Sequence, residues 1–458
     1  MGTLIRSAVR AGIAVAFAAG AQGLGIAPAL ATDPAGTVWV SDGVLWFSAG
    51  AHAANRLSIT SGPAGTVLTD RIPMRIATDR PAEGCVGLTP LSVRCPRPEF
   101  RVEVRLGDGD DTFANRAELH TYAYGQDGND RLTGAAPAQN HFFGEAGDDT
   151  LTGANGPGIL DGGAGDDSLT GGAAADVLAD GPGDDTVAGG PGDDELRTGS
   201  GADDLDAGTG TDVVAYEPDH PAVTVTLDEN ADDGAAGEGD NVRATAESVR
   251  GTAGADTLIG NPANNTLAGE DGDDTLRGGG GNDILAGGEG ADTLTGDSGD
   301  DDLRGGGGTD TLTGDDGADK LTGDFDTDRI DGGPGADTIE AMFGDDEAWG
   351  GPGNDTITAF AGRFRLHGGS GDDVIQGSYD DDLLWGDDGD DALTGLDGSD
   401  TLHGGRGDDR LQASTGTNQR VYGAAGTDTC LGDDLIDPSE CEIFTEASAT
   451  PPVPLRRT

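Results

Sequence analysis

The feature that most constrains this chain is a phase lock with a period of nine. Residues 251–412 divide into eighteen nonapeptides without insertion or deletion. A sample starting at Gly269 reads GEDGDDTLR, GGGGNDILA, GGEGADTLT. The sixth position is Asp except at Asn265 and Phe364, the eighth is Leu or Ile except at Ala348, and the fourth is Gly in fifteen units. A strict period of this kind marks a solenoid, in which one unit cannot bury its apolar side alone and must stack on its neighbours. Residues 144–215 hold eight more units in one register, clearest in GGAGDDSLT, GGAAADVLA, DGPGDDTVA and GGPGDDELR from Gly162. Looser units at 106–114 and 125–133 are spaced off the period, so the roll is expected to begin irregularly, and a last unit at 423–431 follows a one-residue slip.

Each unit separates into a six-residue turn and a three-residue strand. Glycines at the first, second and fourth positions permit positive φ and close backbone approach. In the strand the eighth residue points inward and its two polar neighbours outward. Two units then make an eighteen-residue coil, and coils stack at about 4.8 Å with parallel pairing, so the second block alone is expected to run roughly 43 Å. The fold class that follows is all-β: a parallel β-roll, or β-solenoid, with a core one aliphatic side chain thick.

Stacking also aligns the sixth-position aspartates. Carboxylates about 5 Å apart repel by roughly 0.8 kcal/mol in water and about 3 kcal/mol at an effective dielectric of 20. The formal net charge of −59 and an aromatic content of 4% make such a chain look disordered unless something cancels charge and adds folding free energy. A hard divalent cation does both. Calcium takes six to eight oxygen ligands from carboxylates and carbonyls, whereas magnesium demands a tight octahedron and keeps its waters. Zinc and copper call for His or Cys, which the six-residue turns of the repeats lack. The candidate ligands in the first block are Asp149, Asp167, Asp176, Asp185, Asp194, Asp203 and Asp212. In the second they are Asp256, Asp274, Asp283, Asp292, Asp301, Asp310, Asp319, Asp328, Asp337, Asp355, Asp373, Asp391, Asp400 and Asp409. Fifth-position acids such as Asp273 and Asp300 are expected to be solvated charge. Weak or missing sites are expected around 341–382, where Phe364 replaces the acid, Ala348 the core residue, and Asp326 and Asp380 flank the stretch in place of turn glycines.

Units such as GGPGDDELR and GGEGADTLT resemble the hemolysin-type, or RTX, calcium-binding nonapeptide G-G-x-G-x-D-x-U-x. The resemblance covers well over half of the chain. It implies a calcium-bound roll with sixth-position Asp and turn carbonyls as ligands, disordered at low calcium and folded after export. The chain departs from RTX exoproteins in carrying an N-terminal signal sequence and from RTX toxins in lacking a long apolar membrane-active region.

Regions outside the repeats complete the expectation. Arg6 and Arg10, an apolar run to residue 27 and Ala29-Leu30-Ala31 read as a cleaved secretory signal, placing the protein outside the cell. Residues 32–105 show short alternating strands, as in FRVEVRL, and read as a β cap on the roll's open end. Residues 216–250 form a bridge with one strand at 223–227 and an acidic loop at 228–241, either a spacer or another calcium site. Cys85 with Cys95 and Cys430 with Cys441 are the favoured disulfides, and the Ser/Thr/Pro-rich tail is expected to be disordered. So acidic a surface is a poor partner for nucleic acid, and no segment past the signal is suited to membrane insertion. None of the six histidines forms H-E-x-x-H and no G-x-S-x-G occurs, so a non-enzymatic calcium-binding scaffold is favoured, with a secreted hydrolase or toxin carrying an accessory roll as the alternative.

Overall fold

The tight turns depend on glycine at positions where another residue could not sit. Gly290 has φ of 149°, and a Cβ there would run into the carbonyl of Gly272 one coil below. With the turns this narrow, strands of the regular repeats are delivered directly beside the strand eighteen residues earlier. The computed structural model describes residues 36–431 except 42, 51–53, 77–83, 96–100, 136 and 414–418, together with the backbone of 443–445. The expected signal sequence, Cys441 and the C-terminal tail lie outside these residues, while Cys85 and Cys95 form a disulfide.

Among the described residues the protein is built of strands alone, in sheets of 22, 11 and 12 strands. The expected parallel β-roll is the architecture found. On one face Leu267, Leu285, Leu303 and Leu321 stand in register across successive parallel strands. On the other Leu258, Leu276, Leu294, Leu312 and Ile330 do the same. All are buried and together form one continuous core. Each such side chain contributes about 1.5–3 kcal/mol by leaving water.

The two repeat blocks are one roll. On one face Leu196 pairs with Val214, Val214 with Val249 and Val249 with Leu267, so this sheet crosses from the first block to the second without a break. Only the opposite face is interrupted. There Asn241–Val242 closes the first sheet against Asp204 and Leu205, and Val223–Thr226 opens the next beneath Thr257–Ile259. The bridge is therefore an insertion within coils.

The N-terminal residues extend both faces downward. Val44–Ser48 lies in parallel under Arg101–Asp108, and Arg56–Gly62 under Thr112–Asn115. Each then turns back through an antiparallel hairpin, Gly36–Ser41 on one side and Gly65–Thr69 on the other. The stack thus passes into antiparallel pairing on both faces, and on one of them Met74–Ile76 adds a further strand parallel to Gly36–Ser41.

Because Val214 and Val249 are the shared rungs, a charge placed there should loosen both blocks together. Val214→Asp leaves a carboxylate without a partner in the aliphatic core, a change expected to cost several kcal/mol. Hydrogen exchange should rise in 195–216 and in 248–268 alike. Exchange confined to one side would mean that the blocks fold independently.

Candidate metal centre

The geometry of one rung repeats along the whole roll. The backbone N–H of Asp149 donates to Asp167 Oδ1 at 2.7 Å, and that of Asp167 to Asp185 Oδ1 at 2.6 Å. In the second block Asp274, Asp292, Asp310 and Asp328 are joined in the same way at 2.8–2.9 Å. On the facing edge Asp283, Asp301, Asp319, Asp337, Asp355, Asp373, Asp391 and Asp409 form an equivalent line at 2.7–3.0 Å. All the candidate aspartates are buried. One carboxylate oxygen therefore stitches coil to coil. The other, Oδ2, has no hydrogen-bond partner in any of them except Asp203 and Asp256.

A buried carboxylate oxygen without a donor is costly unless a cation meets it. The space it faces is lined by oxygen. A Cβ at first-position Gly144 would strike Asp149 Oδ2 and the carbonyl of Gly162, and one at Gly269 would strike Asp274 Oδ2 and approach the carbonyl of Gly287. The donor set is thus carboxylate plus backbone carbonyl, with no nitrogen or sulfur, which fits calcium and not a transition metal.

The sequence model of the RTX calcium-binding nonapeptide repeat matches residues 139–214, 250–363 and 367–437. The chain belongs to this RTX repeat family. It binds calcium, and the repeats imply several ions per chain. No curated protein matches the chain. The short gap in the family match falls on residues 364–366, where Phe364 interrupts the acid ladder.

Burial dominates the electrostatics of the RTX rungs. It pushes the carboxyls of Asp149, Asp167, Asp176, Asp185, Asp274, Asp337, Asp373, Asp400 and Asp409 up to about 7. Those of Asp212, Asp283, Asp310, Asp319 and Asp391 rise to about 6, and Asp328 reaches about 8. The coil-to-coil N–H bond pulls each of them down and neighbouring aspartates push it up, but neither outweighs desolvation.

Several ladder members escaped the nine-residue register. Asp111 and Asp130 occupy the same place: Asp111 N–H donates to Asp130 Oδ1 and Asp130 N–H to Asp149 Oδ1, each over nineteen residues. The irregular start is thus a run of coils one residue longer, the excess lying in the opposite turn. In the bridge Asp240 accepts the N–H of Asp203, and Glu247 that of Asp212. Asp240 and Asp233 spend both carboxylate oxygens on protein donors, so the acidic loop is a built part of the roll. Asp346 and Asp382 are rungs as well, accepting from Asp328 and Phe364. The fifth-position acids are exposed but not idle, since Asp148, Asp273 and Asp300 each accept an N–H from the following coil.

In some turns a protein donor meets the rung side-chain oxygen. Asp203 Oδ2 accepts from the Thr198 hydroxyl, Asp256 Oδ2 from Thr252, and Asp382 Oδ2 from the Ser378 N–H. Asn265 Oδ1 accepts the N–H of Asn261. In the stretch expected to be weak, Phe364 fills its rung and the first position is Ala359, whose Cβ occupies the space that glycine leaves elsewhere. The Oδ2 atoms of Asp346, Asp355 and Asp373 remain unpartnered there, so the irregularity is confined to the rungs of Phe364 and Asp382.

Two outcomes follow. Calcium requires the ionised carboxyls, whose folded values of about 6–8 lie above the ordinary 3.8. The metal-free roll is thus most favoured below about pH 4 and loses stability as pH rises toward 7, and protons compete with calcium below about pH 7. Calorimetric titration should show affinity falling steadily from pH 8 to pH 5; a flat profile would remove the rungs as ligands. Separately, the double change Ala359→Gly with Phe364→Asp should add one calcium to the calorimetric stoichiometry, and Phe364→Asp alone should add less.

Proposed function

We propose that this is a secreted, non-enzymatic scaffold whose roll folds when calcium fills the aspartate rungs outside the cell. The observation that carries this reading is the ladder of buried Oδ2 atoms without hydrogen-bond partners. A core one side chain deep, surrounded by buried acids and a net charge of −59, has little stability to set against ionisation of those acids at neutral pH. Calcium at about millimolar concentration supplies the missing free energy by binding only the folded form.

The scaffold reading draws support from the outer face. On the sheet at 349–422 the rings of Trp349, His367, Trp385, His403 and Tyr422 stack in one column, with centroids 4.2–5.9 Å apart and nearly parallel planes. Arg329 caps the column over Trp349 at 4.0 Å. His367 and His403 are thus spent in stacking. Phe325 and Phe360 are largely exposed beside Phe343, and Tyr379 is largely exposed as well. These features give a rigid rod a distinctive face without grouping a nucleophile with a base. The signal sequence supports export, where calcium is plentiful.

Far-UV circular dichroism of residues 32–458 during calcium and then magnesium titration tests the coupling. A coil-like spectrum should become β-rich with calcium and stay coil-like at equal magnesium. A spectrum indifferent to calcium would refute calcium-driven folding. A hydrolase screen on the calcium-loaded chain, with residues 32–105 deleted as control, tests the accessory-roll alternative.

A further inference from the structure

One turn of the roll carries an acid where its neighbours carry glycine. The unit DGPGDDTVA begins with Asp180, at the first position. In the comparable unit at 162–170, a Cβ on first-position Gly162 would strike Asp167 Oδ2 and approach the carbonyl of Asp180 itself. Asp180 therefore delivers a whole carboxylate into the space faced by the unit's own rung acid, Asp185.

The side chain is fully buried. Its Oδ1 accepts the N–H groups of Gly181 at 2.7 Å and Gly199 at 2.8 Å, which holds the group in place. Its Oδ2 has no partner. One oxygen each from Asp180, Asp185 and Asp203 lies within 4.8 Å of the others, and all three residues are buried. Asp185 and Asp203 are consecutive rungs, joined by the N–H of Asp185 on Asp203 Oδ1 at 2.9 Å. The Thr198 hydroxyl, 2.9 Å from Asp203 Oδ2, fixes the third carboxylate. Three buried carboxylates converging with one oxygen unpartnered on both Asp180 and Asp185 is an arrangement that a cation resolves and that hydrogen bonds in this turn do not.

We propose that Asp180, Asp185 and Asp203 form a three-carboxylate calcium site that binds more tightly than the regular rungs and fills first. Calcium affinity rises with the number of charged ligands at a preformed site. Here the added charge is Asp180, and it is held by two backbone donors before any ion arrives. The inference rests on the rung carboxylates being calcium ligands, and goes beyond it by ranking one site above the others.

The test is a competition titration of residues 32–458 against chelators of graded affinity, counting calcium retained at each free concentration. The wild-type chain should keep about one ion at free calcium at least about tenfold below that which empties the rest. Asp180→Gly installs the residue usual at this position, and Asp180→Asn keeps the shape and the Oδ1 acceptor while removing the charge. Both should lose the tight class and retain the remaining ions and the calcium-induced β signal. A tight class that survives in both variants, or a wild-type chain in which all ions leave together, overturns the proposal. Failure of the underlying reading would look different: a wild-type chain holding no calcium even at millimolar concentration.

Discussion

The structure depends on a division of labour within one carboxylate. Oδ1 of the sixth-position Asp takes a backbone N–H from the coil before it, and in most rungs Oδ2 is left without a donor near a carbonyl of the next coil. The first bond makes the acid part of the backbone ladder. The second oxygen makes the ladder incomplete without positive charge. Neither could be removed without losing the other: an apolar side chain, as at Phe364, accepts nothing from the coil before it, and an amide, as at Asn265, turns its Oδ1 to the N–H of Asn261 in its own turn, reaches the coil before only through Nδ2 on the Glu247 carbonyl, and brings no charge. The same atoms therefore explain why a chain so acidic forms a narrow rod.

Protons and calcium are rivals for that second oxygen. Burial raises the rung carboxyls to near neutrality, so acid neutralises the ladder by protonation and neutral pH leaves the task to a cation. Turns that hold Thr252 or Ser378 have taken a third course and feed the oxygen an internal donor. If calcium drives folding as proposed, the roll's dependence on metal is graded along its length. In a stack where each coil touches only its neighbours, such self-satisfied rungs are places where order persists locally.

The coil, the core and most of the rungs were legible in the sequence because each rests on short-range chemistry: glycine for the turn, one aliphatic residue inward, one acid at the corner. What was lost was lost through phase. Asp111 and Asp130 belong to nineteen-residue coils, and Asp240 lies 37 residues beyond Asp203, so a nine-residue ruler passes over them. The same one-residue shift places Gln419, which accepts the N–H of Asp400, nineteen residues beyond it. The aromatic column was missed for a different reason. Trp349, His367, Trp385 and His403 recur every eighteen residues, but sampling the ninth position every nine mixes the two faces and makes the row look random. The period of the outer surface is the coil, not the repeat. Oxygens satisfied by Thr or Ser could not be read at all, since the same residues elsewhere in the units face solvent.

Repetition brings a danger that these departures remove. In a perfect array of parallel coils, sliding one strand set by eighteen residues preserves every leucine contact and every acid rung, and only the ends object. A chain of identical units would fold into many registers of nearly equal energy. Here the slide is expensive. It would bring Phe364 into a rung made for a carboxylate, set Asp180 against a turn whose first position needs glycine, and pull the bridge out of the coils that hold Asp240 and Glu247. The irregular rungs give up calcium ligands, and in return they make one register lower in free energy than the rest. Specificity in this fold is therefore carried by its exceptions, while its stability is carried by the rule.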